Sequence, residues 1–296
     1  MVTIIYMRLD KFRLMRTYPT KHTKVGYNKC FAKALNLAAK GELKRITSKY
    51  RSTFFVEFED GPDKSTLRFA FGPSKKGSTI AIDFNPKKLT ESAWKSFGSI
   101  TSELFGKHVV WQEFNIHALE IAMDVKRAMS DFIFFDQSLS VSNEKFLKKG
   151  TIYLGAQYGK RSYCIYDKQK HLNEKQHKTI GYPLTRVEAR IRSIGIPLSQ
   201  LLTMVNPFDK LVVLPRSNFV KILAHNPDQP IVASFFQAIK DGASGHTAYR
   251  QHTIAERKII VAACKPYSIE LGNTSKNWLR WIEGNFSAIT KQFQNF

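Results

Sequence analysis

The sequence predicts an α+β fold: a central, largely antiparallel, curved sheet with flanking helices, followed by a mostly helical C-terminal part. Three observations carry this expectation. Short runs of alternating apolar residues dominate the chain up to about residue 200. Turn segments such as Asp60-Gly-Pro-Asp63 and Gly72-Pro-Ser-Lys-Lys-Gly77 separate these runs at hairpin distances. After Pro197 the apolar spacing changes to a helical period.

Taken in order, residues 2–14 alternate irregularly and read as a strand. Tyr27–Lys40 reads as a helix, with Phe31, Leu35 and Ala38 on one stripe and Gly41 as its stop. Thr53–Glu59, Ser65–Phe71 and Thr79–Phe84 read as strands. Thr90 opens a helix with Glu91 in its first turn, ending near Gly106. Asn115–Val125, Thr151–Leu154, Ser162–Lys168 and Leu184–Arg192 read as strands, and the span between Asp131 and Gly150 as a connection. Leu198–Met204, Asn218–Ala224, Pro230–Asp241, Ala248–Ala263 and Ser275–Gln292 read as helical, the last with a stripe of Trp278, Ile282, Phe286 and Ile289. The expected division is an α+β body over 1–205 and a helical region over 206–296, packed on the sheet or binding DNA. No repeat of fixed period is present in the sequence.

The chain has 296 residues and a hydrophobic content of 43%, enough for a sizeable core. It carries 46 Lys and Arg against 24 Asp and Glu, a formal net charge of +22. A field that positive attracts a polyanion, and nucleic acid is the commonest one. No basic amphipathic helix supports a membrane surface instead. Cys30, Cys164 and Cys264 are odd in number and far apart, which argues against zinc and disulfides and for a reducing cytosol. No apolar run reaches the length of a membrane span, so a cytoplasmic soluble protein is expected.

Strand alternation puts Ser162, Cys164, Tyr166 and Lys168 on one face and Tyr163 and Ile165 on the other. A phenol and an ammonium two residues apart can form a nucleophilic site. In Ala118-Leu-Glu-Ile-Ala-Met-Asp124, Glu120 and Asp124 share a face with alanines between them, which leaves room for a hydrated hard cation. An exposed polar face over an apolar core is the plainer reading of that strand. In Leu184–Arg192, Glu188 shares a face with Arg186, Arg190 and Arg192. It reads either as an ion-paired acid or as a third ligand beside phosphate-binding guanidiniums. The stretch from Lys145 to Lys178 is strongly basic and contains Tyr153, Tyr158, Tyr163 and Tyr166. Basic groups such as Lys160 and Arg161 would grip phosphates there, and aromatic faces would stack on bases.

These motifs, in this order, resemble the replication initiation factor family (Rep_trans) of rolling-circle plasmids, integrative elements and filamentous phages. That family shows an Arg-Ile-Asp-Leu-Ala-x-Asp strand, then a Tyr-Ile-Gly-Ser-Arg-Lys-Ser segment running to Tyr-(Asp/Glu/Asn)-Lys, then an Arg-(Val/Ile/Trp)-Glu-x-x-(Leu/Ile)-Arg strand. The matching segments here are Leu119–Asp124, Tyr153–Lys168 and Thr185–Arg192, within a resemblance spanning roughly residues 50–205. The resemblance implies a nickase domain over 1–205 that cuts one strand of origin DNA. Tyr166 would be the nucleophile, forming a 5′-phosphotyrosyl bond and freeing a 3′-hydroxyl primer, with Lys168 stabilising the developing charge. Glu120, Asp124 and Glu188 would hold Mg²⁺ or Mn²⁺. Tyr158, Lys160, Arg161, Arg186 and Arg190 would contact DNA. Duplex and single-stranded origin DNA are the implied partners, with a homodimer and a host helicase as further ones. Three departures stand out: Glu120 replaces the usual Asp, His117-Ala118 replaces Thr-Arg, and Ala156-Gln-Tyr-Gly159 replaces Ser-Arg-Lys-Ser. They keep open a basic DNA-binding protein derived from such an initiator without cleavage, and, more remotely, an RNA-binding module.

Overall fold

The computed structural model describes residues 4–48, 51–59, 64–74, 77–139, 145–147, 150–156, 159–269, 271, 280–284, 287, 289 and 291–293. The chain runs β1 (Ile4–Tyr18), α1 (Lys21–Ala39), β2 (Lys44–Ser48), β3 (Arg51–Phe58), β4 (Ser65–Ser74), β5 (Gly77–Phe84), α2 (Glu91–Phe105), α3 (Val109–Glu113), β6 (Asn115–Val125), β7 (Phe132–Asp136), β8 (Lys145–Leu147), β9 (Thr151–Leu154), β10 (Arg161–Asp167), α4 (Lys168–Gln176), β11 (Thr185–Pro197), β12 (Leu211–Pro215), α5 (Phe219–His225), α6 (Pro230–Lys240), α7 (Gly245–Arg250) and α8 (Ile254–Cys264). Ten strands form one sheet in the order β2-β3-β4-β5-β1-β6-β11-β10-β9-β8, and β12 pairs with β7 in a second, two-stranded sheet. The pairings β1–β5, β3–β4, β9–β10 and β10–β11 are all antiparallel. The α+β class, the antiparallel sheet and the helical C-terminal part are as the sequence predicts.

The chain divides into two compact units, one built from residues 1–7, 122–191 and 205–278, the other from 8–121, 192–204 and 279–296. In the second, alternation along β1 and β5 aligns Phe12 with Phe84 and Leu14 with Ile82, all fully buried or nearly so. Trp94 and Phe97 of α2 cover this face, with Phe97 5.0 Å from Phe84 between ring centroids. On α1, Phe31 meets Phe54 and Phe71 at 5.8 and 5.5 Å. This helix starts well before Tyr27, because Thr20 and Thr23 form a reciprocal cap.

In the first unit, Ile133 and Phe135 of β7 and Val212 and Leu214 of β12 pack with Ile222, Phe235, Phe236, Tyr249 and Ile260 from α5 to α8. The span expected to be a connection after Asp131 therefore supplies a core strand. Ala248–Ala263, expected as one helix, is two: Thr253 accepts from the Glu256 N–H and Glu256 caps Thr253 in return, which starts α8 afresh. Leu198–Thr203 is a 3₁₀ segment. Much of Ser275–Gln292, including Trp278 and Phe286, lies outside the described residues; within it Ile282 and Ile289 are buried. Among the described residues no helix is long and apolar enough to cross a membrane.

Candidate active site

The site is assembled by the antiparallel register of β10 and β11. Ser162 pairs with Arg190, Cys164 with Glu188 and Tyr166 with Arg186, so these six side chains share one face. Tyr163, Ile165, Val187 and Ala189 take the opposite, apolar face and are fully buried. Tyr163 donates its hydroxyl to Pro207 O at 2.8 Å, and burial first, then the nearby Asp136 carboxylate, pushes its pKa up. It is a core tyrosine. Tyr166 is only partly buried.

Tyr166 Oη donates to Glu188 Oε1 at 2.8 Å, a diagonal cross-strand contact. Arg190 Nη2 donates to the other oxygen, Glu188 Oε2, at 2.9 Å. The same guanidinium lies 5.8 Å from the Tyr153 ring centre, and burial raises the Tyr153 pKa. The Glu188 carboxylate is thus fixed from two sides and already in contact with a phenolic proton.

Strand β10 stops at Asp167, whose carboxylate accepts the Lys170 N–H at 2.9 Å and caps α4. Lys168, expected on the strand beside Tyr166, is instead the first residue of that helix and is buried. The same helix brings the His171 ring to 5.4 Å from that of Tyr166. Strand alternation through Lys168 does not bring His171 to this site; the helix that Asp167 caps does. An Asp at the end of a β-run, followed by a polar stretch, is the signal that identifies the cap.

Asp124 meets Arg186 in a two-pronged ion pair, with Nε to Oδ1 at 2.6 Å and Nη2 to Oδ2 at 2.7 Å. The two side chains are 1% and 3% exposed, so the pair is interior. Glu120 belongs to the unit of residues 8–121, where its carboxylate lies 3.9 Å from Lys11 Nζ. Tyr158 lies outside the described residues. Lys160 is exposed, and Arg161 hydrogen-bonds Ser138 and approaches the buried Asp136 carboxylate at 3.6 Å.

Among the described residues no three His, Cys, Asp or Glu side chains form a group able to hold a metal. The donors also do not fit a divalent cation as they stand: both Asp124 oxygens are on a guanidinium, and the two Glu188 oxygens accept from a phenol and a guanidinium. A cation replacing Arg186 at Asp124 would leave a buried guanidinium uncompensated. What the arrangement can do directly is move a proton from Tyr166 to Glu188.

No family model matches the chain, and no curated protein does. Among solved structures it is similar to one described as the structure of a rolling circle replication initiator protein from Geobacillus stearothermophilus. The two are 16% identical, with 64% of this chain and 76% of that chain covered and a TM-score of 0.27. A similarity that remote transfers neither fold nor residue roles.

Proposed function

We propose that this chain is a DNA strand-cleaving enzyme of the kind that initiates rolling-circle replication, with Tyr166 as its nucleophile. The observation that carries the reading is the 2.8 Å hydrogen bond from the Tyr166 hydroxyl to Glu188. A phenol with an ordinary pKa of about 10 is a poor nucleophile at neutral pH, and an adjacent base activates it. Glu188 accepts the proton as Tyr166 Oη forms its bond to phosphorus. The P–O3′ bond breaks, and the 3′ oxygen leaves with a proton from solvent. The products are a 5′-phosphotyrosyl link and a free 3′-hydroxyl. Arg190 orients the base. Lys168, at the head of α4, is the cation proposed to offset charge on the crowded phosphorus. The exposed Lys160, with Arg161 and Tyr158, is proposed to hold flanking DNA, in keeping with a net charge of +22.

A second reading, DNA binding without cleavage, is favoured by one feature: the buried Arg186–Asp124 fork occupies a carboxylate that a metal-dependent nickase would need. Incubation with supercoiled plasmid carrying the element's own origin separates the two, with Mg²⁺, Mn²⁺ and a chelator as separate arms. Relaxed circles with protein on a 5′ end are expected from the wild type and none from Tyr166→Phe. Glu188→Gln should slow cleavage by about 10²–10⁴-fold, the usual contribution of a positioned base. Equal cleavage by wild type and Tyr166→Phe would remove the nucleophile. Tight binding with no nick under any metal condition would establish the second reading.

A further inference from the structure

We infer that the β1–β5 part of the large sheet carries a second, non-cleaving site for single-stranded DNA, with Arg68 as its phosphate anchor and Phe55 as its stacking surface. The assignment to DNA rests on the proposed function; the site itself rests on strand register and exposure.

The strand order holds one plan twice, although no repeat is visible in the sequence. β1 is followed by the meander β2-β3-β4-β5, and β5 returns to pair with β1. β6 is followed by β8-β9-β10-β11, and β11 returns to pair with β6. In the second plan Tyr166 on β10 pairs with Arg186 on β11, and Arg186 forks onto Asp124 of β6. In the first plan Arg68 on β4 pairs with Asp83 on β5, and Arg13 of β1 forks onto Asp83. The fork is kept with its charges exchanged, and Arg68 stands where the other half has Tyr166. One strand further out, Phe55 on β3 stands where the other half has Thr151 on β9. A guanidinium stays protonated and is no nucleophile, so this half can hold a strand but not cut it.

Register places Lys44, Phe55, Arg68, Asp83 and Arg13 in one row across five strands, about 19 Å long at the usual strand spacing. Thr53, Ala70 and Ala81 form the middle of the next row on this face, a floor of small side chains. The opposite face holds Phe54, Phe69, Ile82 and Leu14, all fully buried, under Phe31 of α1 and Phe97 of α2. Arg68 is exposed and makes no hydrogen bond or ion pair among the described residues. The acids beside it are engaged, Asp83 by Arg13 and Glu57 by Lys44, each at 2.8 Å. Phe55 is partly exposed, with Lys44 and Arg68 as its cross-strand neighbours.

An open guanidinium next to an aromatic ring, over a floor of small residues, meets a phosphate and a base together. A single strand presents both. In a duplex the bases are stacked inside, out of reach of Phe55. A chain of net charge +22 supplies the long-range attraction for such a strand.

The test measures the affinity of full-length Tyr166→Phe protein for a labelled oligothymidylate of about 20 nucleotides across a salt series, so that cleavage plays no part. Arg68→Gln should lower the slope of log affinity against log salt by about 0.7, the share of one phosphate, and Arg68→Lys should keep it. Phe55→Leu should weaken binding by roughly 5–100-fold with the slope unchanged, as loss of one stacked base does. Affinity and slope unchanged by both Arg68→Gln and Phe55→Leu would overturn the site. A larger loss on duplex than on the single strand would overturn its assignment to single-stranded DNA. Altered sedimentation of the DNA-free Arg68→Gln protein, with DNA affinity kept, would overturn it in favour of a contact between copies. An arm with unsubstituted protein guards against misfolded variants: a strand carrying 5-iodouracil, irradiated in the complex, should attach to the peptide containing Phe55, and adducts confined to other peptides would overturn the site. No readout depends on nicking, so a failed cleavage assay would remove the nucleophile and leave this site standing.

Discussion

Glu188 and Asp124 are both carboxylates of the candidate site, yet their surroundings differ. Glu188 touches a phenolic proton and one guanidinium, and it sits at the edge of the partly exposed Tyr166. Asp124 is locked to Arg186 in the interior. Removing one partner of a buried ion pair leaves the other charge without compensation. Asp124→Ala should therefore destabilise the fold by about 3–5 kcal/mol, measurable as a lowered urea midpoint. Glu188→Gln should destabilise the fold less, by roughly 1–2 kcal/mol, since the single amide oxygen can keep Arg190 while its NH2 donates to the Tyr166 oxygen, and cleavage should fall. If Asp124 instead served mainly as a metal ligand, Asp124→Ala would stop cleavage without moving the midpoint.

At the scale of elements, the junction between β10 and α4 decides where Tyr166 points. Asp167 ends the strand and caps the helix, so Tyr166 stands one residue before a fixed corner. Asp167→Ala should cost about 1 kcal/mol of stability and lower the cleavage rate more than substrate affinity. A second element constraint is Gly245, which opens α7. A methyl added there would overlap Ile133 Cγ2 and come within 2.9 Å of Phe134 O. Gly245→Ala should lose roughly 1–3 kcal/mol through overpacking. That Tyr166 and Glu188 each stand on the polar face of a strand is legible in the sequence, because period-two alternation fixes faces; their hydrogen bond is not. The Asp124–Arg186 fork was not, since alternation says which face a side chain takes but not which partner it meets on a neighbouring strand. α4 and β7 were missed for opposite reasons. The helix is too polar to show an apolar stripe, and Phe132–Asp136 is too uniformly apolar to show alternation. Ala248–Ala263 reads as one helix because Thr253 and Glu256, a cap pair, also suit a helix face.

For the whole molecule, charge and burial together set the pH range over which it is stable. On the acid side, burial and then Arg13 hold the His117 pKa below 6.5. Between the folded and unfolded pKa values the unfolded chain binds more protons, so stability rises with pH through that interval and is complete above about 6.5. On the alkaline side, burial raises the pKa values of Tyr18, Tyr27, Tyr153, Tyr163 and Tyr249, and pushes the Cys264 thiol up to about 12. There the folded chain keeps protons that the unfolded chain loses, so stability falls as pH rises past about 9–10. A formal charge of +22 at neutral pH sharpens the acid limb, because protonating carboxylates adds to an already repulsive field. Scanning calorimetry across pH 4–11 (about the accessible range) should thus give a plateau between roughly 7 and 9. Tyr163→Phe should flatten only part of the alkaline limb, because several groups share it. His117→Gln should leave that limb untouched and shallow the acid one. An acid limb identical in wild type and His117→Gln would show that carboxylate protonation alone governs it.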